Sequence, residues 1–335
     1  MRIPTNLITG FLGAGKTTAI RSLLARRPAG ARWSVFVNEY GMVSIDQALV
    51  DDGSDEVAVE ELGGGCFCCT TSIPLGPMLA RFVRQTRPDR LLIEPSGAGH
   101  PARVIDTLRS GPFRELLDLR ATICLVDPKD FANPRVVNRE VFRDQIEMAD
   151  VVVLNWLDKR ESDLIRRCRD WIDGFDPPKV LVAETQFGAL EPSWLDADAT
   201  LVRWSGVIPA DHAHTSPTHV QIGIDSPRTS AIPGAPLRLE NSGQGQWACG
   251  WIFSPDDVFD RDSLFDYLGQ VEDARRVKGV FHCEDDWWQV NRVDHEFSFS
   301  LSSYRRDSRL EIIAESPRDW VRVERDLLRT LRAND

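Results

Sequence analysis

The run Gly10-Phe11-Leu12-Gly13-Ala14-Gly15-Lys16-Thr17 has the spacing G-x-x-x-x-G-K-[ST], with Thr18 directly after it. Glycines at these positions let the backbone turn sharply and point its N–H groups inward, where they hold phosphate oxygens. An ammonium at Lys16 would reach the β- and γ-phosphates, and the Thr17 hydroxyl would hold Mg²⁺. The chemistry implied is capture of a nucleoside triphosphate by Gly10, Gly13, Ala14, Gly15, Lys16, Thr17 and Thr18.

Two further segments bear on that ligand. Arg90-Leu91-Leu92-Ile93-Glu94-Pro95-Ser96-Gly97 reads as a buried strand ending in a carboxylate, with a glycine three residues on. Glu94 belongs beside Mg²⁺ or its water, and the Gly97 amide is placed to sense the γ-phosphate. The plainer alternatives are that Glu94 caps the next helix and Gly97 only turns the chain. The second segment is Asn155-Trp156-Leu157-Asp158, after the apolar run 151–154. An Asn and an Asp at this spacing suit a guanine-reading loop, because a carboxylate accepts from two N–H donors that adenine does not offer as a pair. Trp156 stands where a lysine is usual. Its indole either covers the base by stacking or belongs to the core, with Asp158 then capping the following helix.

Gly63-Gly64-Gly65-Cys66-Phe67-Cys68-Cys69 is the other dense feature. Thiols so close together converge on one soft cation when glycines bend the chain, and thiolates favour Zn²⁺ or Cu(I). Three thiolates leave a fourth position open, which suits an exchangeable site; a redox pair and small buried residues are the alternatives. Glu39 and Asp46 lie in the segment after the second strand, where a nucleotide-switched loop would sit. Glu39 is a candidate ligand for the metal, for Mg²⁺ or for an attacking water, or else an exposed loop acid. Cys124, Cys168, Cys249 and Cys283 are isolated and read as core, His212, His214 and His219 as loop histidines, and His100 as a neighbour of the phosphates.

Positioning these groups calls for alternating strands and helices. Candidate strands are 34–37, 90–94, 121–126, 151–155 and 179–182, with helical patterns at 75–87, 102–109, 138–149 and 163–174. Runs apolar on both faces predict buried parallel strands, hence a three-layer α/β domain over 1–205 with its ligand at the carboxyl ends of the strands. Residues 206–246 hold scattered Pro, Gly, Ser and His and read as a loop-rich linker, although 219–224 could form an edge strand. A smaller α+β domain is expected over 247–335. Its strands fall at 248–253, 277–282, 287–293, 296–301 and 310–313, with helices at 262–270 and on the face Trp320, Val323, Leu327 and Leu331.

The chain has 335 residues, 42% hydrophobic and 27% charged, with a net charge of -11. That balance argues against nucleic acid or an anionic membrane as general partners. Its apolar runs fall short of a membrane span, and seven cysteines, three of them crowded, point to the cytosol rather than to a disulfide framework.

Taken together, these pieces resemble the CobW-type GTPases, a P-loop family associated with metal insertion and zinc handling. The resemblance rests on 9–18, on Val37-Asn38-Glu39-Tyr40-Gly41, on Gly65-Cys66-Phe67-Cys68-Cys69, on Ile93 to Gly97 and on Asn155 with Asp158. In the second domain it rests on Arg276-Val277-Lys278-Gly279-Val280 and Ser308-Arg309-Leu310-Glu311-Ile312-Ile313. The segments 90–95 and 99–101 look most like the zinc-linked YeiR-type branch. The resemblance implies a P-loop NTPase domain and a slow GTPase that couples nucleotide state to metal binding and transfer. It would use GTP, Mg²⁺ and Zn²⁺ and serve a zinc-dependent client. It also implies that Cys66, Cys68 and Cys69 hold the metal with Glu39 as a fellow ligand. Lys16, Thr17, Glu39, Asp46 and Glu94 are then the catalytic candidates. Trp156 and the lack of a long histidine tract depart from the family pattern, and the latter favours transfer or sensing over storage. A zinc-binding module with a structural nucleotide site and an ATP-using P-loop enzyme are the rival readings. The C-terminal domain could dock a client or a second copy of the chain.

Overall fold

Val151-Val152-Val153-Leu154 is apolar at every position, so it can be stable only with both faces covered. The computed structural model describes residues 2–37, 57–61, 75–97, 101–175, 177–197, 231–243, 246–271, 273–293, 296–314 and 316–332, and it covers that run as predicted. The chain forms two compact units, Met1–Leu201 and Val202–Asp335.

In the first unit the strands are β1 (Ile3–Gly10), β2 (Trp33–Val37), β3 (Val57–Glu61), β4 (Arg90–Glu94), β5 (Leu117–Leu119), β6 (Ile123–Val126), β7 (Val151–Leu154) and β8 (Leu181–Glu184). They form one sheet in the order β3-β2-β4-β1-β6-β7-β8, with β5 beside the start of β1. All of these pairings are parallel. Alternate residues of each strand feed opposite layers. Ile8, Val35, Leu92, Leu125 and Val153 pack with Ile20, Leu23 and Leu24 of helix α1 (Lys16–Ala25). On the other face Leu7, Phe36, Leu91 and Ile93 meet Leu79 and Phe82 of α2 (Leu75–Thr86) and Ile105 and Leu108 of α3 (Ala102–Arg109). Farther along that face, Val126, Val152 and Leu154 meet Phe142 and Ile146 of α4 (Glu140–Glu147) and Cys168 and Ile172 of α5 (Ser162–Ile172). This is the expected three-layer α/β arrangement.

Departures from the expected bounds have local causes. β6 starts at Ile123 rather than at 121, because the Ala121 carbonyl accepts from the Asn6 amide (2.9 Å) and the Thr122 N–H donates to the Asp150 carboxylate (2.8 Å). β8 starts two residues late, after Lys179 has turned its ammonium onto the Glu147 carbonyl (2.7 Å). β3, β5 and the short helical turns Phe113–Leu116, Pro128–Ala132 and Pro134–Val137 were not foreseen.

In the second unit β9 (Leu237–Gly243), β10 (Gln246–Ile252), β11 (Ala274–Cys283), β12 (Asp286–Val293), β13 (Glu296–Leu301) and β14 (Arg309–Ala314) form an antiparallel sheet ordered β13-β12-β11-β14-β10-β9. Helices α6 (Arg261–Gly269) and α7 (Trp320–Leu328) bury Leu264, Leu268, Trp320, Val323 and Leu327 against Trp251, Phe281, Leu310 and Ile312. Leu331 lies beyond the end of α7 but packs on the same core. β9 occupies the end of the stretch 206–246 read as loop-rich and is an edge strand paired with β10, whereas the candidate edge strand 219–224 lies outside the described residues. Among the described residues, no helix is long and apolar enough to cross a membrane.

Candidate functional site

β1 stops at Gly10, and α1 begins at Lys16, so residues 11–15 form a loop at the carboxyl edge of the sheet aimed by a helix N-terminus. The Ala14 N–H donates to the Phe11 carbonyl (3.1 Å), closing a turn. Gly15, the residue before the helix, has φ 98, and a Cβ there would stand 2.5 Å from the Asn155 amide nitrogen. Both facts demand glycine. Gly13 also has a positive φ, 81, whereas Thr18 is exposed on the helix.

Lys16 is only 5% exposed, yet its ammonium makes no hydrogen bond or ion pair among the described residues. A cation in that position is built to meet an anion, since a buried charge is tolerable only when paired. Gly97 passes close to it: a Cβ on Gly97 would lie 2.9 Å from Lys16 Nζ and 3.2 Å from the Leu12 nitrogen. The E-x-x-G glycine thus lets the backbone pass against the phosphate loop. Its carbonyl is held in turn by the buried Gln145 amide of α4 (3.2 Å).

Glu94 is 1% exposed at the end of β4, and the Thr17 hydroxyl donates to its Oε1 over 3.4 Å. α3 follows Pro101 with no side-chain cap, so Glu94 does not cap it. A buried carboxylate and a hydroxyl converging on one point are hard oxygen donors of the kind Mg²⁺ takes, and they fit that ion.

The Asn155 side chain ties two loops together. Its Nδ2 donates to the Ala14 carbonyl (2.9 Å), and its Oδ1 accepts from the Gly188 N–H (3.2 Å). Trp156 follows with φ 64 and is half-buried. Its indole N–H donates to the Gly13 carbonyl (3.1 Å), and the Lys159 ammonium sits 4.2 Å from its ring centroid. It therefore lies along the phosphate loop rather than in the core. Asp158, in the turn Leu157–Lys159, is exposed and makes no hydrogen bond among the described residues. α5 begins after Glu161 without a side-chain cap, so Asp158 caps nothing.

Sequence reasoning missed the acid pair behind this loop. Asp127 is fully buried at the end of β6 and caps the turn Pro128–Ala132 through the Lys129 N–H (3.0 Å). Arg160 grips both its oxygens, Nε to Oδ1 at 2.7 Å and Nη2 to Oδ2 at 2.8 Å. Burial alone would raise the Asp127 carboxyl, but bonds from Arg160 and Lys129 reverse this and leave it below the usual range. The one available signal was Val126-Asp127-Pro128, an apolar strand ending in an N-cap residue and proline.

Asp130 behaves oppositely: burial and the neighbouring Asp127 charge push it up to about 6, and its Oδ2 lacks a partner among the described residues. Because the folded value exceeds the ordinary aspartate value of 3.8, ionising Asp130 costs stability above about pH 6, and this cost vanishes below about pH 4. Asp130→Asn should raise the melting temperature by several degrees at pH 8 and leave it unchanged at pH 4. Thermal melts at the two pH values check this, and equal shifts at both would contradict it.

Glu39, Asp46, Cys66, Cys68, Cys69, His100, His212, His214 and His219 lie outside the described residues. The strand ends from which two of these segments leave are among the described residues. Val37, from which the Glu39 segment leaves, is in register with both Glu61 and Glu94. The cysteine segment leaves after Glu61. Strand spacing puts Glu61 and Glu94, two strands apart, about 10 Å from one another. The remaining cysteines match the core reading. Cys124, Cys168, Cys249 and Cys283 are buried and unbridged, and burial pushes the thiols of Cys124, Cys168 and Cys283 up to about 12.

Comparison with known proteins gives consistent findings. Residues 4–182 match the family described as CobW/HypB/UreG, nucleotide-binding domain, and residues 248–331 match the cobalamin synthesis protein cobW C-terminal domain. The zinc chaperone YeiR of Escherichia coli is 36% identical over 328 residues, covering 97% of each chain. The zinc chaperone CobW of Pseudomonas aeruginosa is 32% identical over 218 residues, 56% of this chain and 58% of its own. The zinc-regulated GTPase metalloprotein activator 1 of Schizosaccharomyces pombe is 28% identical over 323 residues, 86% of this chain and 74% of its own.

Proposed function

This chain belongs to the CobW/HypB/UreG family, and from that premise we propose that it is a zinc-responsive GTPase that couples GTP hydrolysis to holding and handing on Zn²⁺. The observation that carries the nucleotide half is the buried Lys16, which has no hydrogen-bond or ion-pair partner among the described residues and faces Gly97 across a loop at a helix N-terminus. Gly10, Gly13, Ala14, Gly15, Lys16, Thr17 and Thr18 surround the phosphates in this reading. The Gly97 amide meets the γ-phosphate, Asn155 fixes the loops, and Asp158 accepts from the guanine edge.

Thr17 and Glu94 would hold Mg²⁺, directly or through water, and the ion supplies charge neutralisation at the phosphates. Lys16 and the loop N–H groups stabilise the charge that develops as the γ-phosphoryl group departs to water. Glu39 and Asp46 are the candidates for orienting that water. Without a partner, turnover of roughly 10⁻⁴ to 10⁻² s⁻¹ is expected, as in other switch GTPases.

Cys66, Cys68 and Cys69 form the zinc site in this reading, with Glu39 as a fourth ligand, and reduced thiols so placed suit the cytosol. What supports coupling is the shared sheet edge. The Glu39 segment leaves Val37 on β2, the strand beside the one that ends at Glu94, and the cysteine segment leaves Glu61 on β3, the strand on the other side of β2. A γ-phosphate that orders this edge changes zinc affinity, and zinc must change GTP affinity by the same factor. Zinc titration against a chelating dye, with and without a non-hydrolysable GTP analogue, should differ about 5- to 150-fold. Identical affinities would contradict the coupling. Released metal passes to a zinc-dependent client.

A further inference from the structure

A guanine-reading carboxylate is useful only if it is held still. Asp158 must accept two hydrogen bonds from one base edge, and an error of 1 Å loses both. Asp158 itself makes no hydrogen bond or ion pair among the described residues, although its charge is felt by Arg160. Its loop is anchored on both sides. Before it, Asn155 is bonded to Ala14 and Gly188. After it, Arg160 makes the two-bond fork to the buried Asp127, while its third nitrogen, Nη1, donates to the Lys159 carbonyl (2.8 Å). One guanidinium thus joins the end of β6 to the backbone immediately after Asp158. A planar fork of this kind fixes direction as well as distance, which a lysine could not do.

We propose that Arg160 and Asp127 are positioning residues for base recognition, a clamp that sets Asp158 against the guanine edge in a loop whose usual lysine is Trp156. The proposal rests on the reading of Asp158 as the guanine contact. Trp156 is spent on the Gly13 carbonyl and on Lys159, and Leu157 packs on the core before Asp158, so beyond Asp158 this fork is the side-chain tie that fastens the turn to the end of β6. The clamp acts on the base and not on the phosphates: Arg160 reaches Asp127 and its own loop, and Lys16 is held separately on α1.

The test is a double-mutant cycle on the full chain, reading Mg²⁺–GDP and Mg²⁺–ADP binding by calorimetry. Arg160→Ala should weaken GDP roughly 10- to 100-fold and leave ADP within about twofold. In an Asp158→Ala background the same substitution should cost GDP less than about threefold, because the group it positions is gone. Equal losses in both backgrounds, or equal losses for GDP and ADP, would overturn the clamp and leave a merely structural ion pair. Asp158→Ala alone separates the two layers. If it leaves the GDP-to-ADP preference intact, the guanine reading itself fails and the clamp falls with it. Removing Arg160 strands a buried carboxylate, so Arg160→Lys is measured in parallel as a better-tolerated change. It can keep one bond to Asp127 and should show an intermediate loss of GDP affinity. Native GDP affinity in Arg160→Lys would also overturn the proposal.

Discussion

Lys16→Ala is expected to weaken GTP binding by at least about a hundredfold and to abolish measurable hydrolysis. The reason is electrostatic. Lys16 is 5% exposed and its ammonium makes no ion pair among the described residues, so the fold holds a buried cation whose natural counter-ion is a phosphate. Each charge-assisted bond formed there is made in a dehydrated pocket, where losing one typically costs about 3–4 kcal/mol. The same argument sets a control with the opposite sign. Without nucleotide, removing a buried cation that has no ion pair among the described residues takes away a burial cost, so the variant should melt no lower than the native protein. A fall in both nucleotide affinity and melting temperature would mean that Lys16 is structural. Nucleotide binding by calorimetry and thermal melts of the nucleotide-free protein check the two halves.

Asp158→Asn should exchange the base preference. A carboxylate accepts from the N1–H and the exocyclic N–H of guanine; an asparagine presents one acceptor and one donor. Guanine then meets a donor facing a donor and should lose at least about a hundredfold in affinity. Xanthine carries a carbonyl where guanine carries its exocyclic amine, so it pairs with the asparagine and should gain over the native protein. The exposure of Asp158 makes a folding defect an unconvincing explanation for such a swap. Competition of GTP, XTP and ATP against a fluorescent guanine nucleotide reads all three. An unchanged order would remove Asp158 from the base site.

The motifs and the layers around them were legible because they depend on local spacing. Arg90–Glu94, Ala102–Arg109 and Glu296–Leu301 have the bounds that their patterns predict. Apolar runs such as Val151–Leu154 identify buried parallel strands without reference to the rest of the chain. Edge strands were harder. β3 ends in two acids, and β9 is preceded by Pro233 and Pro236, so neither carries the apolar signature of a covered strand. Trp156 shows a different limit. Its residue type allowed a base platform or a core filler, but not its bond to the Gly13 carbonyl, which depends on a loop far earlier in the chain. Asp127 with Arg160 and Gly97 with Gln145 were invisible for the same reason: 33 and 48 residues separate the partners. Sequence spacing reports what one helix face or one turn can gather, whereas these contacts are made by the order of the strands.

Zinc-dependent GTP hydrolysis is the most direct test of the central claim. Steady-state turnover with Mg²⁺ is measured with and without buffered Zn²⁺, for the native chain and for the Cys66→Ala/Cys68→Ala/Cys69→Ala variant. Zinc is expected to change the rate of the native chain, and the variant to keep its zinc-free rate at every zinc level. Equal native rates with and without zinc would contradict it, leaving the nucleotide site and the cysteines as separate features of one chain.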